Sequence, residues 1–195
     1  MGSEMCIRDS NRGYVIDDTG NIRSRYDKIH LFDIQLSQQK SYQESKLVSA
    51  GDQAVVTETP FGVIGHTICY DLRFPHLYRD LAQAGAEMLF VPAAFTKKTG
   101  QAHWHVLNRA RAIENGAFVI APCAIGMVQG GGESYGHSLI VNPWGEVLAD
   151  GDTIPGVIHA TIDLDMVAAT RQRIPSVLAD KPYFFENEQA GRSAA

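Results

Sequence analysis

The sequence contains few cysteines and none of the short motifs that hold metal ions. Cys6, Cys69 and Cys123 are the three cysteines among 195 residues, and their wide separation excludes a disulfide-stapled scaffold. The chain has no C-x-x-C or H-E-x-x-H motif, so local spacing predicts no metal site. Unpaired cysteines are typical of a reducing compartment, and we therefore expect a cytoplasmic protein.

Long apolar runs and an excess of basic residues are also missing. The longest mainly apolar stretch, 88–95, has about eight residues and contains Pro92, whereas a membrane span needs about 20. Lys and Arg total 17 against 22 Asp and Glu, which gives a formal net charge of −5. This is the wrong sign for neutralising phosphates. We therefore expect neither a membrane nor a nucleic acid as partner.

The length and the pattern along the chain predict one domain. A chain of 195 residues fits a single globular body, since typical domains have about 100 to 200 residues. The first ten residues, MGSEMCIRDS, have no apolar core of a signal peptide and share no pattern with the rest of the chain. We expect residues 1–10 to be a non-native segment, residues 11–183 to form the domain and residues 184–195 to be a C-terminal tail.

Apolar periodicity predicts alternating strands and helices. Strand-like runs flank a Thr-Gly-Asn turn at 19–21 and a Pro-Phe-Gly turn at 60–62, and a polar, irregular loop is expected over 37–51. Further strands are expected over 87–91, 117–121, 138–141, 146–149 and 157–162, and helices over 74–84, 101–115 and 164–173. Hairpins mixed with strand–helix alternation indicate an α/β fold with a mixed sheet.

Cys69 stands where an apolar strand, VIGHTIC, gives way to a turn and then to a helix. Nucleophiles are often presented in this way, because the turn exposes the side chain and directs backbone N–H groups at the attacked atom. A buried core thiol is the competing interpretation, since free cysteine is among the most buried residue types. Position alone does not decide between the two.

Four strings in order along the chain carry a further signal. They are YDKIHLFD at 26–33, CYDLRFP at 69–75, AHWHVLNRARAIEN at 102–115 and SYGHSLIVNPWG at 134–145. Together they closely resemble the nitrilase, or carbon–nitrogen hydrolase, superfamily, in the branch of deaminated glutathione amidase and ω-amidase. The resemblance extends from about residue 11 to residue 183.

The resemblance implies a fold and an activity. The fold is a four-layer αββα sandwich, here lacking its first strand–helix–strand unit. The activity is hydrolysis of the carbon–nitrogen bond of a small linear amide that carries an α-keto acid, without a metal or an organic cofactor. Deaminated glutathione and 2-oxoglutaramate are amides of this type.

Catalytic roles are implied by the same resemblance. Cys69 matches the nucleophile, which forms a thioester while ammonia or an amine leaves. Lys28 matches the catalytic lysine, and a cation suits stabilisation of both a thiolate and an oxyanion. Glu44 matches the second glutamate of the family, which holds the lysine and orients the substrate.

The resemblance also implies substrate-binding positions, which are Tyr70, Arg73, Phe95 and Thr99. The backbone N–H of Tyr70 would be the second oxyanion donor. Arg73 suits the carboxylate of the keto acid, because a guanidinium can bind a carboxylate through two parallel hydrogen bonds.

The histidines give weaker evidence for a catalytic or metal site. His103 and His105 are two residues apart on a predicted helix, so they point to different sides and make a poor metal pair. His137 is a conceivable partner of Cys69 in a papain-like pair, but the resemblance places it on a structural strand.

The general base of the family, a glutamate in the N-terminal region, has no match in this sequence. Two functions therefore stay open, an amidase and a catalytically incomplete relative or fragment that binds carboxylates or partner subunits. A thiol redox protein using Cys69 and Cys123 is a weaker third interpretation, because no resolving cysteine lies nearby in sequence. Members of the superfamily usually dimerise or assemble further, so we expect a homo-oligomer whose other partner is a small-molecule amide.

Overall fold

The computed structural model describes residues 9–37, 40–128 and 132–184. The strands are β1 (Asp9–Ser10), β2 (Arg12–Ile16), β3 (Ile22–Asp27), β4 (Asp33–Ser37), β5 (Lys40–Gln43), β6 (Val48–Ser49), β7 (Val56–Thr59), β8 (Gly62–His66), β9 (Met88–Phe90), β10 (Phe118–Ala121), β11 (Ile125–Val128), β12 (Gly132–Tyr135), β13 (Leu139–Val141) and β14 (Val147–Asp150). The α-helices are α1 (Pro75–Gln83), α2 (Lys97–Asn115) and α3 (Asp165–Arg173), and 3₁₀ turns cover Glu44–Lys46, Cys69–Arg73 and Pro175–Val177. Most of the expected non-native segment and of the expected tail lies outside the described ranges.

One sheet of six strands forms the centre of the described chain, in the order β14-β13-β10-β9-β8-β7. Strands β8, β9 and β10 are parallel neighbours, whereas β7 pairs with β8, and β13 with β10 and β14, in antiparallel fashion. Two-stranded ladders join β1 to β6, β2 to β3, β4 to β5 and β11 to β12. The predicted α/β fold with a mixed sheet is confirmed.

Helices α1 and α2 share one buried cluster with the six-stranded sheet. Tyr78 of α1 and Trp104 of α2 are fully buried there, together with Leu89 of β9 and Val119 of β10. Burial of one such side chain stabilises the fold by about 1.5–3 kcal/mol. A smaller cluster joins Met88 of β9 to strand β10 and helix α3, since neighbouring residues of a strand point to opposite faces of a sheet.

The predicted helices are present, and one of them is longer than its pattern suggested. Helix α2 begins at Lys97 instead of residue 101 and ends before Gly116, which adopts a left-handed backbone with φ 52°. The extra turn escaped detection because Lys97 and Lys98 carry positive charge at the positive end of the helix dipole and follow no apolar stripe. Of the described helices, none is long and apolar enough to cross a membrane.

One expected loop and one expected strand were wrong, and several strands were not predicted. The expected loop over 37–51 contains β5 and β6, and β1, β4, β11 and β12 were not predicted. The sequence of β5, KSYQ, has no apolar alternation, and the strand exists because it pairs with β4. Residues 157–162 form no strand. Val157 is 85% exposed, and a strand-like composition without a hydrogen-bonding neighbour does not make a ladder.

Candidate active site

A cavity lies at the carboxyl ends of the parallel strands β8 and β9, the edge at which α/β sheets commonly bind ligands. Its volume is about 660 Å³. Strand β8 leads to Cys69, and strand β9 leads to the segment 92–96 on the opposite wall. Six of the predicted site residues line it, namely Lys28, Glu44, Cys69, Tyr70, Phe95 and Thr99.

Cys69 occupies a strained turn between strand β8 and helix α1. The backbone is extended at Ile68, with φ −137°, and left-handed at Cys69, with φ 49°. The N–H of Cys69 donates to the carbonyl oxygen of Pro92 at 3.0 Å, which ties the turn to the next strand. A left-handed non-glycine residue costs about 1–3 kcal/mol and persists where its surroundings enforce it. The predicted nucleophile thus has the backbone conformation of a sharp presenting turn.

Opposing effects act on the pKa of the Cys69 thiol. Burial raises the pKa of the thiol, because an uncharged sulfur is favoured away from water. The charge of Lys28 and a hydrogen bond from the N–H of Ala94 act against burial and favour the thiolate. The net pKa lies above the ordinary value for cysteine. Loss of the Lys28 charge is therefore expected to make this thiol harder still to ionise.

Lys28 is a buried cation with a fixed partner. It is 2% exposed, and its Nζ donates to Glu44 Oε2 at 2.6 Å. Its backbone is also held, because its N–H donates to the carbonyl oxygen of Asn11 and its own carbonyl accepts from Gly51, each at 2.9 Å. A buried ammonium without a counter-charge is costly, so Glu44 is the group that permits Lys28 at this position.

Both oxygens of Glu44 are occupied. Oε1 accepts from Asn11 Nδ2 at 2.9 Å, and Oε2 accepts from Lys28 Nζ and from the N–H of Phe32, each at 2.6 Å. Burial alone would raise the pKa of Glu44, but these three hydrogen bonds outweigh it and hold the pKa below its ordinary value of 4.5. Asn11 and the Phe32 N–H were not predicted, because neither has a chemical signature in the sequence.

The lowered pKa of Glu44 predicts a pH-dependent contribution to stability. Because the folded-state pKa is depressed, the contribution is fully present above pH 4.5 and is lost as the pH falls through the folded-state value. We expect Glu44→Gln to lower the free energy of unfolding by about 1–2 kcal/mol at pH 7. The deficit relative to the parent should shrink below pH 4.5. Urea unfolding at pH 7, 5, 4 and 3 measures this dependence.

Glu58→Gln is the matched control. It makes the same chemical change as Glu44→Gln, but at an exposed glutamate. Its free energy of unfolding should follow the parent at every pH. A deficit of Glu44→Gln that is constant from pH 7 to pH 3 would contradict the assigned contacts.

A buried carboxylate that the sequence analysis missed lies beneath the site. Asp71 is 0% exposed and accepts four hydrogen bonds. Oδ1 accepts from the N–H of His30 at 3.0 Å and from its Nδ1 at 2.8 Å, and Oδ2 accepts from the Tyr26 hydroxyl at 2.7 Å and from the N–H of Ile68 at 2.8 Å.

These four bonds connect the two halves of the site. Ile68 directly precedes Cys69, and His30 lies two residues after Lys28. Asp71 therefore ties the backbone of the nucleophile turn to the backbone that carries the lysine. An acidic residue two positions after the predicted nucleophile was the signal available in the sequence, but its partners are 41 and 45 residues away.

The substrate-binding predictions fall on an aromatic wall. Phe32 and Tyr70 meet edge to face at 5.1 Å between ring centroids, and Phe95 packs against Trp104 at 5.0 Å. Thr99 lines the cavity beside them and bonds Thr96.

Arg73 lies behind this wall. Among the described residues the cavity lining does not include it. Its Cζ lies 5.3 Å from the centroid of the Phe95 ring and 6.0 Å from that of Tyr70, and its Nη2 donates to His103 Nδ1 at 3.2 Å. The guanidinium thus lies against two aromatic rings that line the cavity, Tyr70 and Phe95.

The other candidates lie elsewhere. His137 bonds Asp150 and is not among the described residues that line the Cys69 cavity, so the papain-like pair is wrong. Cys123 is buried and lines a second cavity. His105 and His103 point to different partners, Asp150 and Arg73, as expected for residues two apart on a helix.

The chain is similar to known proteins in both sequence and structure. The family model described as carbon-nitrogen hydrolase matches residues 4–172. A deaminated glutathione amidase from Synechocystis is 45% identical over 169 residues, which are 86% of this chain and 62% of that protein. An omega-amidase from Homo sapiens is 41% identical over 161 residues, which are 83% of this chain and 58% of that protein.

The crystal structure of the NitFhit protein from Caenorhabditis elegans superposes with a TM-score of 0.84 at 39% identity. The match covers 89% of this chain and 42% of that chain. The chain thus spans about three fifths of the length of the amidases it matches, 62% and 58% in the two cases above.

Proposed function

The chain belongs to the carbon–nitrogen hydrolase family, and on this premise we propose that it hydrolyses small linear amides through a thioester on Cys69. The observation that carries the proposal is the meeting of Cys69, Lys28 and Glu44 in one cavity, with the cysteine on a strained turn and the lysine buried against the glutamate. The names of the two matched amidases support the reaction class.

The proposed reaction has two balanced steps. In the first, the Cys69 sulfur attacks the amide carbon, the carbon–nitrogen bond breaks, and the thiol proton leaves with the nitrogen as ammonia or an amine. In the second, water adds to the thioester carbonyl, the carbon–sulfur bond breaks, and the sulfur regains a proton. The products are a carboxylic acid and the free thiol.

Lys28 has two tasks in this scheme. Its charge stabilises the Cys69 thiolate before attack, and its Nζ donates to the oxyanion that forms on the amide oxygen. The N–H of Tyr70, the residue after the nucleophile, is the second oxyanion donor. Glu44 holds the Lys28 ammonium in place, since it accepts directly from Nζ.

The proposed substrates carry an α-keto acid at the end opposite the amide, as deaminated glutathione and 2-oxoglutaramate do. Aromatic rings wall the cavity, and Arg73 is the guanidinium stacked on that wall. In this proposal a carboxylate that passes between the Tyr70 and Phe95 rings reaches this guanidinium and forms two parallel hydrogen bonds with it. This position for the carboxylate supports a linear substrate.

Arg73→Lys tests the carboxylate contact. Lysine keeps the charge but loses the planar fork, so we expect the KM for 2-oxoglutaramate to rise about 10-fold. The KM for a neutral amide of the same chain length should change less than about twofold, because that substrate has no carboxylate to bind. Steady-state ammonia release for both amides gives the two values. Equal increases for the two substrates would contradict the assignment.

A second candidate function has one specific observation in its favour. Among the described residues that line the cavity, Glu44 is the one carboxylate, and both its oxygens are occupied by other donors. General acid–base help contributes about 10²- to 10⁴-fold in rate, and Glu44 is not free to provide it. A chain that binds keto-acid amides without completing turnover is the alternative.

Ammonia release and intact-protein mass together separate the two functions. The amidase predicts ammonia in excess of the enzyme from 2-oxoglutaramate, and free cysteinylglycine in excess of the enzyme from deaminated glutathione. The alternative predicts binding, seen as a shift of the unfolding temperature, with released ammonia or dipeptide no greater than one equivalent of enzyme. A folded chain that neither binds these amides nor gains the mass of an acyl group would overturn both.

A further inference from the structure

A second group of chemically active side chains lies outside the Cys69 cavity. His105 of α2, His137 after β12, and Asp150 at the end of β14 converge although they are far apart in sequence. His105 Nε2 lies 2.9 Å from Asp150 Oδ2, and His137 Nδ1 lies 3.0 Å from Asp150 Oδ1. One ligand atom from each residue can be chosen so that all three lie within 4.8 Å of one another. None of the three residues has a role in the proposed hydrolysis.

The donor set and its spacing suit a divalent transition metal. Two imidazoles and one carboxylate are ligands that Zn²⁺ accepts, at bonds of about 2.0–2.2 Å, so ligand atoms in a tetrahedral site are about 3.3–3.5 Å apart. The two histidine–carboxylate separations already lie close to this value. The three ligand atoms lie within 4.8 Å of one another, so the most distant pair must approach by at most about 1.5 Å to reach this spacing.

The backbone holds His137 in place for this purpose. His137 is left-handed, with φ 56°, a conformation that costs a non-glycine residue about 1–3 kcal/mol. Its N–H donates to the carbonyl oxygen of Asp152 at 2.6 Å, and its own carbonyl accepts from Trp104 Nε1 at 2.7 Å. The ring stacks on Tyr135 at 4.4 Å between centroids. A ligand fixed in this way loses little freedom when a metal binds.

The charge of the cluster also suits a cation. The Asp150 carboxylate accepts from the N–H of Asp152 at 2.8 Å, which fixes its position beside the two imidazoles. Asp152 adds a second carboxylate 3.8 Å from His137 Nε2. With neutral imidazoles the cluster has two negative charges, which one divalent ion balances.

Metal binding requires each ring to present a bare nitrogen. The ring proton of His105 then sits on Nδ1, and that of His137 sits on Nε2, which faces the Asp152 carboxylate at 3.8 Å. The side chains of His105, His137 and Asp150 keep 32%, 20% and 33% exposure. The fourth position of a tetrahedral ion is therefore open to water.

We propose that His105, His137 and Asp150 form a binding site for a divalent transition metal of the zinc type, with the Asp152 carboxylate as a second negative charge beside His137. The ion would connect helix α2 to the segment after β12 and to the edge strand β14. Its expected effect is on the stability of this side of the fold, and it does not depend on the proposed hydrolysis.

The test is a calorimetric titration with Zn²⁺ at pH 7.5, in a chain with Cys6 and Cys69 replaced by alanine so that neither thiol competes. We expect one ion per chain with a dissociation constant of about 10 μM or tighter. His105→Gln should weaken binding at least about 30-fold, because glutamine keeps the hydrogen bond to Asp150 but is a poor zinc ligand. Asp150→Asn, which keeps the shape of the side chain, should show the same loss.

His103→Gln is the matched control, since it makes the same change two residues away on the same helix but on a side chain that bonds Arg73. Its affinity for Zn²⁺ should equal that of the parent, and circular dichroism should show all four chains folded. Equal affinities in His105→Gln and His103→Gln, or no binding heat in the parent, would overturn the proposal.

Discussion

Replacement of Cys69 by alanine is expected to abolish ammonia release, with a loss of about 10⁴- to 10⁶-fold in kcat, the range seen when a nucleophile is removed from a catalytic group that acts as a unit. Alanine keeps the cavity and removes only the sulfur that would carry the acyl group. The same variant should bind 2-oxoglutaramate with unchanged affinity, because Lys28 and the aromatic wall remain. Ammonia release measures the first expectation, and calorimetry measures the second.

The control for this variant is Cys123→Ala. Cys123 is a buried thiol outside the cavity of Cys69, so its removal changes packing without removing the proposed nucleophile. We expect ammonia release within a fewfold of the parent. If both alanine variants keep their activity, the thioester mechanism is wrong. If both lose it while folded, a redox pair of Cys69 and Cys123 gains support, and mass spectrometry would then be used to search for the disulfide.

Among the substitutions considered, Asp71→Asn is expected to lower the free energy of unfolding most, by about 3–4 kcal/mol. The reason is that Asp71 is the carboxylate that accepts all four hydrogen bonds of this buried network. The asparagine NH₂ must replace one of the two carboxylate oxygens. Placed at Oδ1 it faces the N–H of His30, and placed at Oδ2 it faces the N–H of Ile68. Neither backbone N–H can become an acceptor, so each orientation leaves one donor facing another. Urea unfolding at pH 7 measures the loss.

Asp80→Asn makes the same chemical change on the exposed side of helix α1 and should leave the free energy of unfolding within about 0.5 kcal/mol of that of the parent.

Alkylation of Cys69 by iodoacetamide provides a second readout for Asp71→Asn. The negative charge of Asp71 contributes to the raised pKa of the Cys69 thiol, so Asp71→Asn should lower the apparent pKa of the thiol while the turn keeps its place beside Lys28. A rise of the apparent pKa would show that the turn has moved away from the lysine charge. A stability loss equal to that of Asp80→Asn would show that the four hydrogen bonds are not a structural connection.

The family and the candidate nucleophile could be predicted from the sequence because both depend on short local strings. The string CYDLRFP places the cysteine between an apolar strand and a helix with Leu77 and Leu81 on one side, and this pattern is visible within about fifteen residues. Lys28 was identified from a string of the same kind. Periodicity likewise predicted helices α1 and α3, whose buried residues follow a helical repeat.

The roles of Asn11 and Asp71 were beyond such patterns. Each acts by a hydrogen bond to a group more than 30 residues away, Glu44 for Asn11 and Tyr26 for Asp71. A single asparagine or aspartate has the same local signature whether it solvates a loop or satisfies a buried donor. The polar strand β5 was missed for a related reason, since its partner β4 supports it through backbone bonds that carry no side-chain pattern.

The histidines also show which features local spacing predicts and which it does not. The spacing of His103 and His105 correctly indicated that they do not act together, because residues two apart on a helix point to different sides. Spacing along one element does not predict which distant residue contacts each side chain. The six-stranded sheet, by bringing β14 beside β13 and α2 over them, decided that His105 meets Asp150 and His137.

The sequence by itself determined the family, the elements with apolar periodicity and the chemistry that each side chain can offer. Only the tertiary structure decided which of these groups meet, because contacts between distant segments depend on packing and register, which no local pattern encodes.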